Sequence, residues 1–251
     1  MKLEMKKFSC GYGSKPVVSK INLSVKTGEV LCLLGPNGAG KTSLFKTMIG
    51  LLKPLSGSIS FDGRDLDGMR AAEKARLIAW VPQSHDAAFP FSVIDVVLMG
   101  RTCFVGNFSS PKTSDYNIAV DALETLGIEH LRDEEYTRIS GGEQQLVLIA
   151  RALAQRADFL IMDEPTSNLD YGNQMRVLLR IKQLAAGGRG IIMSSHHPNH
   201  ALLCADRAAV IDKGSILDEG TPDKVITGTM LKKVFGVESK ITNNCCVPVF
   251  A

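Results

Sequence analysis

The stretch GPNGAGKT at positions 35–42 has the residue types and spacing that bind a nucleoside triphosphate. It satisfies G-x-x-x-x-G-K-[ST], in which the glycines let backbone N–H groups face phosphate oxygens. The lysine is expected to contact the β- and γ-phosphates and the next hydroxyl to ligate Mg²⁺. The predicted ATP-binding residues of this loop are Gly35, Pro36, Asn37, Gly38, Ala39, Gly40, Lys41, Thr42 and Ser43. The alternative is a chance glycine-rich turn, which the apolar run before it and the helical pattern after it disfavour.

A second group of chemically active residues ends the apolar run FLIMDE at 159–164. A carboxylate at the end of a buried strand can hold Mg²⁺ in phosphoryl-transfer enzymes, which is the role predicted for Asp163. Its neighbour Glu164 is the candidate to polarise the attacking water. Solvated loop carboxylates are the alternative, and the presence of the phosphate loop favours the catalytic interpretation.

The elements that must position these residues alternate between strands and helices. Short apolar runs predict buried strands at 30–34, 159–163, 190–195 and 208–212, with further strands at SISFDG and LIAWVP. Helical spacing separates them, as in TSLFKTMIGLL, EQQLVLIARALAQRA and QMRVLLRIKQLAA. This alternation predicts an α/β fold with a mainly parallel sheet. A mostly helical stretch at about 84–138 predicts an inserted lobe, and the absence of a linker predicts one domain over 1–251.

Composition indicates an ordinary globular protein of 251 residues with 45% hydrophobic and 22% charged residues. The formal net charge of only +3 gives no electrostatic case for nucleic acid. No apolar run is long enough to cross a bilayer and the lysine-rich start leads into no signal peptide, so a cytoplasmic location is expected. The six cysteines show no CxxC spacing. Free thiols are favoured, with a redox-active Cys245–Cys246 pair as the alternative.

The segment ISGGEQ at 139–144 resembles the LSGGQ signature of ABC-type ATPases, with Ile139 for leucine and Glu143 for glutamine. In that family this loop acts on nucleotide held by the opposite subunit. The resemblance therefore implies that Ser140, Gly141, Gly142 and Glu143 contact ATP across a homodimer that holds two ATP molecules head to tail.

Further motifs of the family follow in order along the chain. Gln83 in WVPQ matches the Q-loop, whose amide reaches Mg²⁺ and whose flank contacts a membrane subunit. SNLD at 167–170 matches the D-loop, which implies a dimer contact for Asp170. Tyr12 stands where the family places an aromatic ring that stacks on adenine. Their alternatives are a surface glutamine, a polar turn and an exposed turn tyrosine.

Three segments narrow the resemblance to one group of importers. SVIDVVLMGR at 92–101, GNQ at 172–174 and PNHA at 198–201 resemble ATPase subunits that drive uptake of iron–siderophore complexes, haem or cobalamin. Related members carry oxyanions such as molybdate. The resemblance implies a P-loop core with an N-terminal antiparallel β subdomain, membrane permease subunits, an extracytoplasmic substrate-binding protein and a peripheral position on the cytoplasmic face of the membrane.

Other functions remain as alternatives. The ATPase of an ABC exporter is disfavoured only by the resemblance of the VVLMGR segment to importer ATPases. A non-transport ABC ATPase of the repair type would carry a long coiled coil, and one of the ribosome-associated type would carry two such domains in tandem. This sequence has neither a heptad array nor a second phosphate loop.

Three of the five histidines lie in HHPNHA at 196–201. His196 follows the apolar run GIIMSS and matches the family's switch histidine, which implies contact with the γ-phosphate and the attacking water near Glu164. A zinc site is the alternative, because His196 and His200 lie four residues apart. Pro198 is suited to the first turn of a helix, which would leave His196 outside that helix and disfavour zinc. His197 and His200 are interpreted as ordinary polar neighbours.

Overall fold

The computed structural model describes residues 1–83, 90–105, 109–167, 169–242 and 245–249. Its strands are β1 Lys2–Tyr12, β2 Lys15–Lys26, β3 Val30–Leu34, β4 Ser56–Phe61, β5 Arg64–Asp65, β6 Ile78–Val81, β7 Phe159–Met162, β8 Gly190–Ser195, β9 Arg207–Asp212, β10 Ser215–Gly220, β11 Ser239–Thr242 and β12 Cys245–Pro248. Its helices are α1 Lys41–Met48, α2 Ala71–Leu77, α3 Val93–Leu98, α4 Thr113–Leu126, α5 Gly141–Ala154, α6 Tyr171–Ala186, α7 Pro198–Cys204, α8 Pro222–Val225 and α9 Gly228–Phe235.

The central sheet has the strand order β10-β9-β3-β8-β7-β6. Its five strands from β9 to β6 are mutually parallel, and β10 is antiparallel at the edge. Strands β3, β7 and β8 are buried along their whole length, as expected for a parallel sheet covered on both faces. The predicted α/β fold with a mainly parallel sheet is confirmed.

The parallel register brings the phosphate loop and the carboxylate strand to one edge of this sheet. Leu34 at the end of β3 pairs with Ser195 at the end of β8. Met162 at the end of β7 pairs with Val81 of β6 and with Met193 of β8. The segments that follow these strands therefore leave the sheet at the same edge, where ligands bind in open α/β folds.

Strand β3 separates two apolar cores. Val30, Cys32 and Leu34 point into a core shared with several helices, including α5 and α6. Leu31 and Leu33, on the alternate positions, point into a second core with α1 and the N-terminal sheet. Alternate side chains of a strand face opposite sides, so this all-apolar strand anchors both layers at once.

An N-terminal antiparallel sheet has the order β2-β1-β4-β5, which confirms the β subdomain implied by the resemblance. Helix α1 ends at Met48, earlier than the apolar spacing of TSLFKTMIGLL predicts. The chain turns at Gly50, whose φ of +82° belongs to the left-handed region that glycine adopts readily.

Helices α3 and α4 follow β6, with short 3₁₀ helices at Met99–Arg101 and Glu129–Leu131. This segment is tied to α5 by Arg101, whose Nε donates to Asp115 Oδ1 at 3.0 Å and whose Nη1 donates to the Ala154 carbonyl at 2.8 Å. Residues 84–89 and 106–108 of the predicted lobe lie outside the described residues. Within the described ranges no helix is both long and apolar enough to cross a membrane.

Candidate nucleotide-binding site

The phosphate loop lies between β3 and α1, and its tight path requires glycine at two positions. A Cβ atom on Gly35 would lie 2.2 Å from the Ile211 carbonyl oxygen. Gly40 has a φ of +101°, and a Cβ atom there would lie 2.6 Å from Val18 Cγ2. Any side chain at these positions would force the backbone apart. The loop then enters α1 at Lys41, where unpaired backbone N–H groups favour an anion.

Lys41 is almost fully buried, with 5% of its surface exposed. Its Nζ donates to the carbonyl oxygens of Gly35 at 2.7 Å and Pro36 at 3.1 Å. It also lies 3.3 Å from Glu164 Oε1. The ammonium group is thus held inside the loop by backbone oxygens, with a carboxylate from the segment that follows β7 as its counter-charge.

Glu164 brings together the residues predicted to be catalytic. Its Oε2 lies 3.0 Å from His196 Nδ1 and accepts from Gln83 Nε2 at 3.3 Å, while Oε1 faces Lys41. The residue is 7% exposed and has a φ of +45°, a left-handed conformation that is strained for a side chain with a Cβ atom. Such strain persists only where surrounding contacts enforce it, and it concentrates at functional sites.

Ser194 is a site residue that no sequence motif predicts. Its hydroxyl donates to Asp163 Oδ1 at 2.7 Å and accepts from the Glu164 backbone N–H at 2.8 Å. Asp163 and Ser194 are both nearly inaccessible, with 2% and 0% exposed. One hydroxyl on β8 therefore orients both carboxylate residues that follow β7.

A cavity of about 340 Å³ lies against the loop. It is lined by Tyr12, Val17, Asn37, Gly38, Gly40, Lys41, Thr42, Ser43, Gln83 and Glu164. The Tyr12 ring is 56% exposed at the end of β1, and its hydroxyl accepts from Ser43 Oγ at 3.4 Å. The structure thus places an accessible aromatic ring, a lysine and a carboxylate around one cleft.

The signature segment and Asp170 do not line this cavity. Ser140 caps α5, since its Oγ accepts from the Glu143 N–H at 3.4 Å and donates to Glu143 Oε2 at 2.6 Å. The Glu143 carboxylate also accepts from the Ser140 N–H at 2.8 Å, so the two residues form a capping box. These bonds hold the pKa of Glu143 below its usual range. Glutamate in place of the commoner glutamine thus has a structural reason.

Asp170 has a similar local role at the start of α6. Its Oδ1 accepts from the Asn173 N–H and its Oδ2 from Asn173 Nδ2, each at 2.8 Å. Asn168 of the predicted D-loop lies outside the described residues. Ser140 and Gly141 are exposed, so this side of the chain presents the capped start of α5 to its surroundings.

The three histidines of 196–201 have three different environments. Only His196 contacts Glu164. The His197 ring is tilted against that of His196, with 4.1 Å between the ring centroids. It lines a separate, largely apolar cavity of about 520 Å³ between α6, α7 and the C-terminal strands. Helix α7 begins at Pro198, as predicted, which leaves His196 before the helix and His200 within it.

His200 corrects one sequence interpretation. It is not a polar surface neighbour, because only 4% of it is exposed. Its Nδ1 lies 3.2 Å from both Thr166 Oγ1 and Ser195 Oγ. Burial, reinforced by His197 and His196, lowers the pKa of His200 from 6.5 to about 4. The packing of α7 turns this side chain inward. The polar character of histidine does not indicate such burial in the sequence.

The donors predicted for Mg²⁺ have suitable chemistry. Thr42 supplies a hydroxyl, Gln83 an amide and Asp163 a carboxylate, and Mg²⁺ prefers such oxygen ligands together with substrate phosphates. Across the part of the chain that the structure describes, no group of three or more His, Cys, Asp or Glu side chains could hold a metal by itself. This donor set therefore suits an ion that is partly held by nucleotide.

Comparison with known proteins identifies the family. The model of the ABC transporter family matches residues 18–167. The chain belongs to this family. It is 44% identical over 235 residues to an ABC transporter ATP-binding protein of Haemophilus influenzae, with 94% of this chain and 89% of that protein covered. The family and its ATP-binding members show that the chain binds ATP and is an ATPase.

Other relatives have more specific names. An iron chelatin transport ATP-binding protein of Helicobacter pylori is 38% identical, with 88% of each chain covered. A hemin import ATP-binding protein of Gloeobacter violaceus is 37% identical, covering 90% of this chain and 84% of that protein. Among solved structures, a metal-chelate type ABC transporter in an inward-facing conformation superposes with a TM-score of 0.85 at 30% identity, covering 99% of this chain and 97% of that one.

Proposed function

We propose that this chain is the ATP-hydrolysing subunit of an importer whose cargo is a metal chelate. One observation carries the catalytic part of this proposal: the Glu164 carboxylate contacts Lys41, Gln83 and His196 in one cluster beside the phosphate loop. The importer and its cargo are supported by relatives named for iron chelatin and hemin and by similarity to a metal-chelate type transporter.

Each residue of the cluster has a role in the proposed reaction of ATP with water to give ADP and phosphate. Lys41 and the N–H groups of residues 35–43 bind the β- and γ-phosphates, and Tyr12 stacks on the base. Glu164 accepts a hydrogen bond from the attacking water and polarises it. His196, whose Nδ1 contacts Glu164, hydrogen-bonds to that water and to the γ-phosphate. Most of the rate enhancement comes from this fixed arrangement of charges and donors.

Thr42, Gln83 and Asp163 would hold Mg²⁺ together with the β- and γ-phosphate oxygens of ATP. When bound, the ion would neutralise the charge on those oxygens. The protein orients the carboxylate for this task through the 2.7 Å bond from Ser194 Oγ to Asp163 Oδ1. Because Gln83 Nε2 donates to Glu164, the amide oxygen of Gln83 is free of that bond and available as a ligand.

A homodimer completes the site in this proposal. Ser140, Gly141, Gly142 and Glu143 of one subunit face the γ-phosphate bound by the other, and Asp170 lies at the dimer contact. The capped start of α5 suits this role, since it offers backbone N–H groups at the positive end of a 14-residue helix.

A mixing experiment tests the shared site. Lys41→Ala would inactivate the site on its own subunit, and Ser140→Ala the site on the opposite one. Mixed dimers of the two inactive variants would therefore contain one intact composite site and regain part of the ATPase activity. No recovery on mixing, with mixed dimers demonstrated by differential tags, would contradict the trans arrangement.

The whole chain 1–251 acts as one nucleotide-binding unit in this proposal, with the helical insert at about 84–138 passing motion to permease subunits near Gln83. The unit lies on the cytoplasmic face of the membrane, and a substrate-binding protein on the other side delivers an iron–siderophore complex, haem, cobalamin or a related oxyanion.

The decisive experiment uses this chain assembled with the permease and binding protein encoded beside it. ATPase activity in lipid should rise when the binding protein carries its cargo, and titration with ferric siderophores, haem, cobalamin and molybdate identifies that cargo. Stimulation by ribosomes or DNA would show a non-transport ATPase. Efflux of a lipid or drug without any binding protein would show an exporter.

A further inference from the structure

His200 joins two segments that carry the proposed catalytic residues. Its Nδ1 lies 3.2 Å from Ser195 Oγ, at the end of β8, and 3.2 Å from Thr166 Oγ1, in the loop after β7. All three side chains are buried, with 4%, 3% and 4% exposed for His200, Ser195 and Thr166. These polar groups are sealed from water, so each of them needs hydrogen-bond partners inside the protein.

The two partners of His200 are close in sequence to Glu164 and His196. Ser195 directly precedes His196, and its Oγ also accepts from the His197 N–H at 3.0 Å. Thr166 lies two residues after Glu164. A bond from His200 to each hydroxyl therefore fixes the distance between the start of one loop and the start of the other.

The helix that carries His200 is itself anchored. Ala201 and Cys204 are buried in the core, with 0% and 4% exposed, and Cys204 Sγ donates to the His200 carbonyl at 3.2 Å. Because α7 is packed against this core and cannot shift easily, the imidazole keeps a fixed position between the two loops.

The charge state of the His200 imidazole also suits this positioning role. Its surroundings favour the neutral form, because burial and the neighbouring rings of His197 and His196 lower its pKa to about 4. A neutral Nδ1 can share its one lone pair or its one N–H between the two hydroxyl groups without bringing a positive charge next to His196. A hydrocarbon side chain of similar volume would fill the space and leave both hydroxyls without this partner.

We propose that His200 is a positioning residue that holds Glu164 and His196 at their 3.0 Å contact by bonding to Thr166 and Ser195. The inference rests on the proposed roles of Glu164 and His196 and adds a residue that does not line the cavity against the phosphate loop. Its effect is expected on turnover, since the phosphate loop contacts this triad through the backbone, where the Gly35 N–H donates to the Ser195 carbonyl at 3.1 Å, and not through the His200 side chain.

Two replacements at the same position separate packing from hydrogen bonding. His200→Leu fills the site without a polar atom, whereas His200→Asn offers an amide group where Nδ1 stands. His200→Leu should lower kcat about tenfold, because small misplacements of reacting groups are costly, and leave the KM for ATP within about twofold. His200→Asn should retain most of the wild-type kcat. Both variants are checked for a wild-type thermal unfolding profile.

Thr166→Val is a near-isosteric replacement that keeps the test decisive if His200→Leu folds poorly. It should also lower kcat, and the double variant with His200→Leu should lose no more than His200→Leu alone, since His200→Leu already removes the bond to Thr166. His197→Leu, whose ring stacks on its neighbours without a hydrogen bond to the triad, is the matched control and should keep the wild-type kcat.

The outcomes are distinguishable. A wild-type chain that hydrolyses no ATP would overturn the proposed function and this inference with it. An active wild type with an equally active His200→Leu variant, equal losses in His200→Leu and His200→Asn, or additive losses in the double variant would overturn the positioning role alone.

Discussion

Lys41 Nζ lies 3.3 Å from Glu164 Oε1, so the phosphate-binding cation and the proposed water-activating carboxylate are direct partners. Both side chains are buried, with 5% and 7% exposed. A triphosphate that takes Lys41 as its own counter-ion must draw it away from Glu164. The carboxylate then keeps Gln83 and His196 as neighbours and becomes available to water. Binding and activation would thus be linked through one ion pair.

Glu164→Gln should preserve ATP binding and stop turnover. The amide keeps the shape of the side chain but cannot polarise water, so kcat should fall by about 100-fold or more. Because hydrolysis would no longer separate the subunits, the variant should elute as a stable dimer from size-exclusion chromatography in ATP. Glu238→Gln, at an exposed ion pair with Lys232, is the matched control. Full activity of Glu164→Gln would remove the residue from its role.

Lys41→Ala should weaken ATP binding. The change removes a buried cation that backbone oxygens point toward the phosphate site, and a charge-assisted bond of this kind contributes about 1.5–3 kcal/mol, or roughly tenfold to a hundredfold in affinity. Titration with a fluorescent ATP analogue measures the loss. Lys46→Ala, on the same helix but outside the loop, should bind as the wild type does. An unchanged titration for Lys41→Ala would contradict the phosphate-loop assignment.

Much of this arrangement could be predicted from local sequence. Three contiguous segments have residue types that indicate their chemistry. They are the phosphate loop, the Asp163–Glu164 pair and the strand before His196. Ser194 could not be selected in this way, because its importance comes from the pairing of Met162 with Met193, which places it beside Asp163 across the sheet. That pairing joins residues that are distant in sequence, so neither segment by itself indicates the contact.

His200 and the end of α1 show a second limit. Polarity predicts a solvent-facing histidine, yet the packing of α7 against the core decides which face turns inward. Apolar spacing predicts that α1 continues to Leu52, whereas a left-handed turn at Gly50 ends it at Met48. In both cases tertiary contacts or a single glycine outweigh the periodic pattern.

His196→Ala should reduce turnover and spare ATP binding. The imidazole contacts Glu164 at 3.0 Å but does not line the cavity against the phosphate loop, so its loss affects the reacting water more than the nucleotide. Removing one preorganised donor of this kind lowers kcat by about 100-fold. Steady-state ATPase kinetics separate kcat from KM. His197→Ala, the adjacent ring without a bond to Glu164, should remain close to wild type, and near-normal turnover of His196→Ala would reject its role.

Ser194→Ala should lower both stability and turnover. It leaves the buried N–H of Glu164 without its acceptor and Asp163 without its donor, and an unsatisfied buried group costs about 1–3 kcal/mol. Denaturant unfolding measures this loss. Ser167→Ala is the control, because the buried Ser167 hydroxyl has no hydrogen-bond partner in the described structure and its removal should not destabilise the fold. Equal stability of both variants would argue against the bridging role of Ser194.

Stability should depend on pH through His200. Its pKa is lowered from 6.5 to about 4 in the folded chain, so the unfolded chain takes up a proton first as the pH falls. The free energy of unfolding should therefore decline between about pH 6.5 and about pH 4, by as much as ~3 kcal/mol from this group. Above that window both states are neutral at His200 and its contribution to the slope vanishes.

Comparison of variants isolates this effect from the carboxylates that also titrate at low pH. His200→Asn lacks the titrating group, so its free energy of unfolding should fall less steeply than that of the wild type as the pH is lowered from 6.5 to 4. Denaturant melts at half-unit pH steps provide the slopes. His130→Asn, a replacement at an exposed position, should keep the wild-type slope. If His200→Asn also kept it, the buried imidazole would not be the group that couples folding to pH, because its proton uptake is the only difference expected between the two slopes.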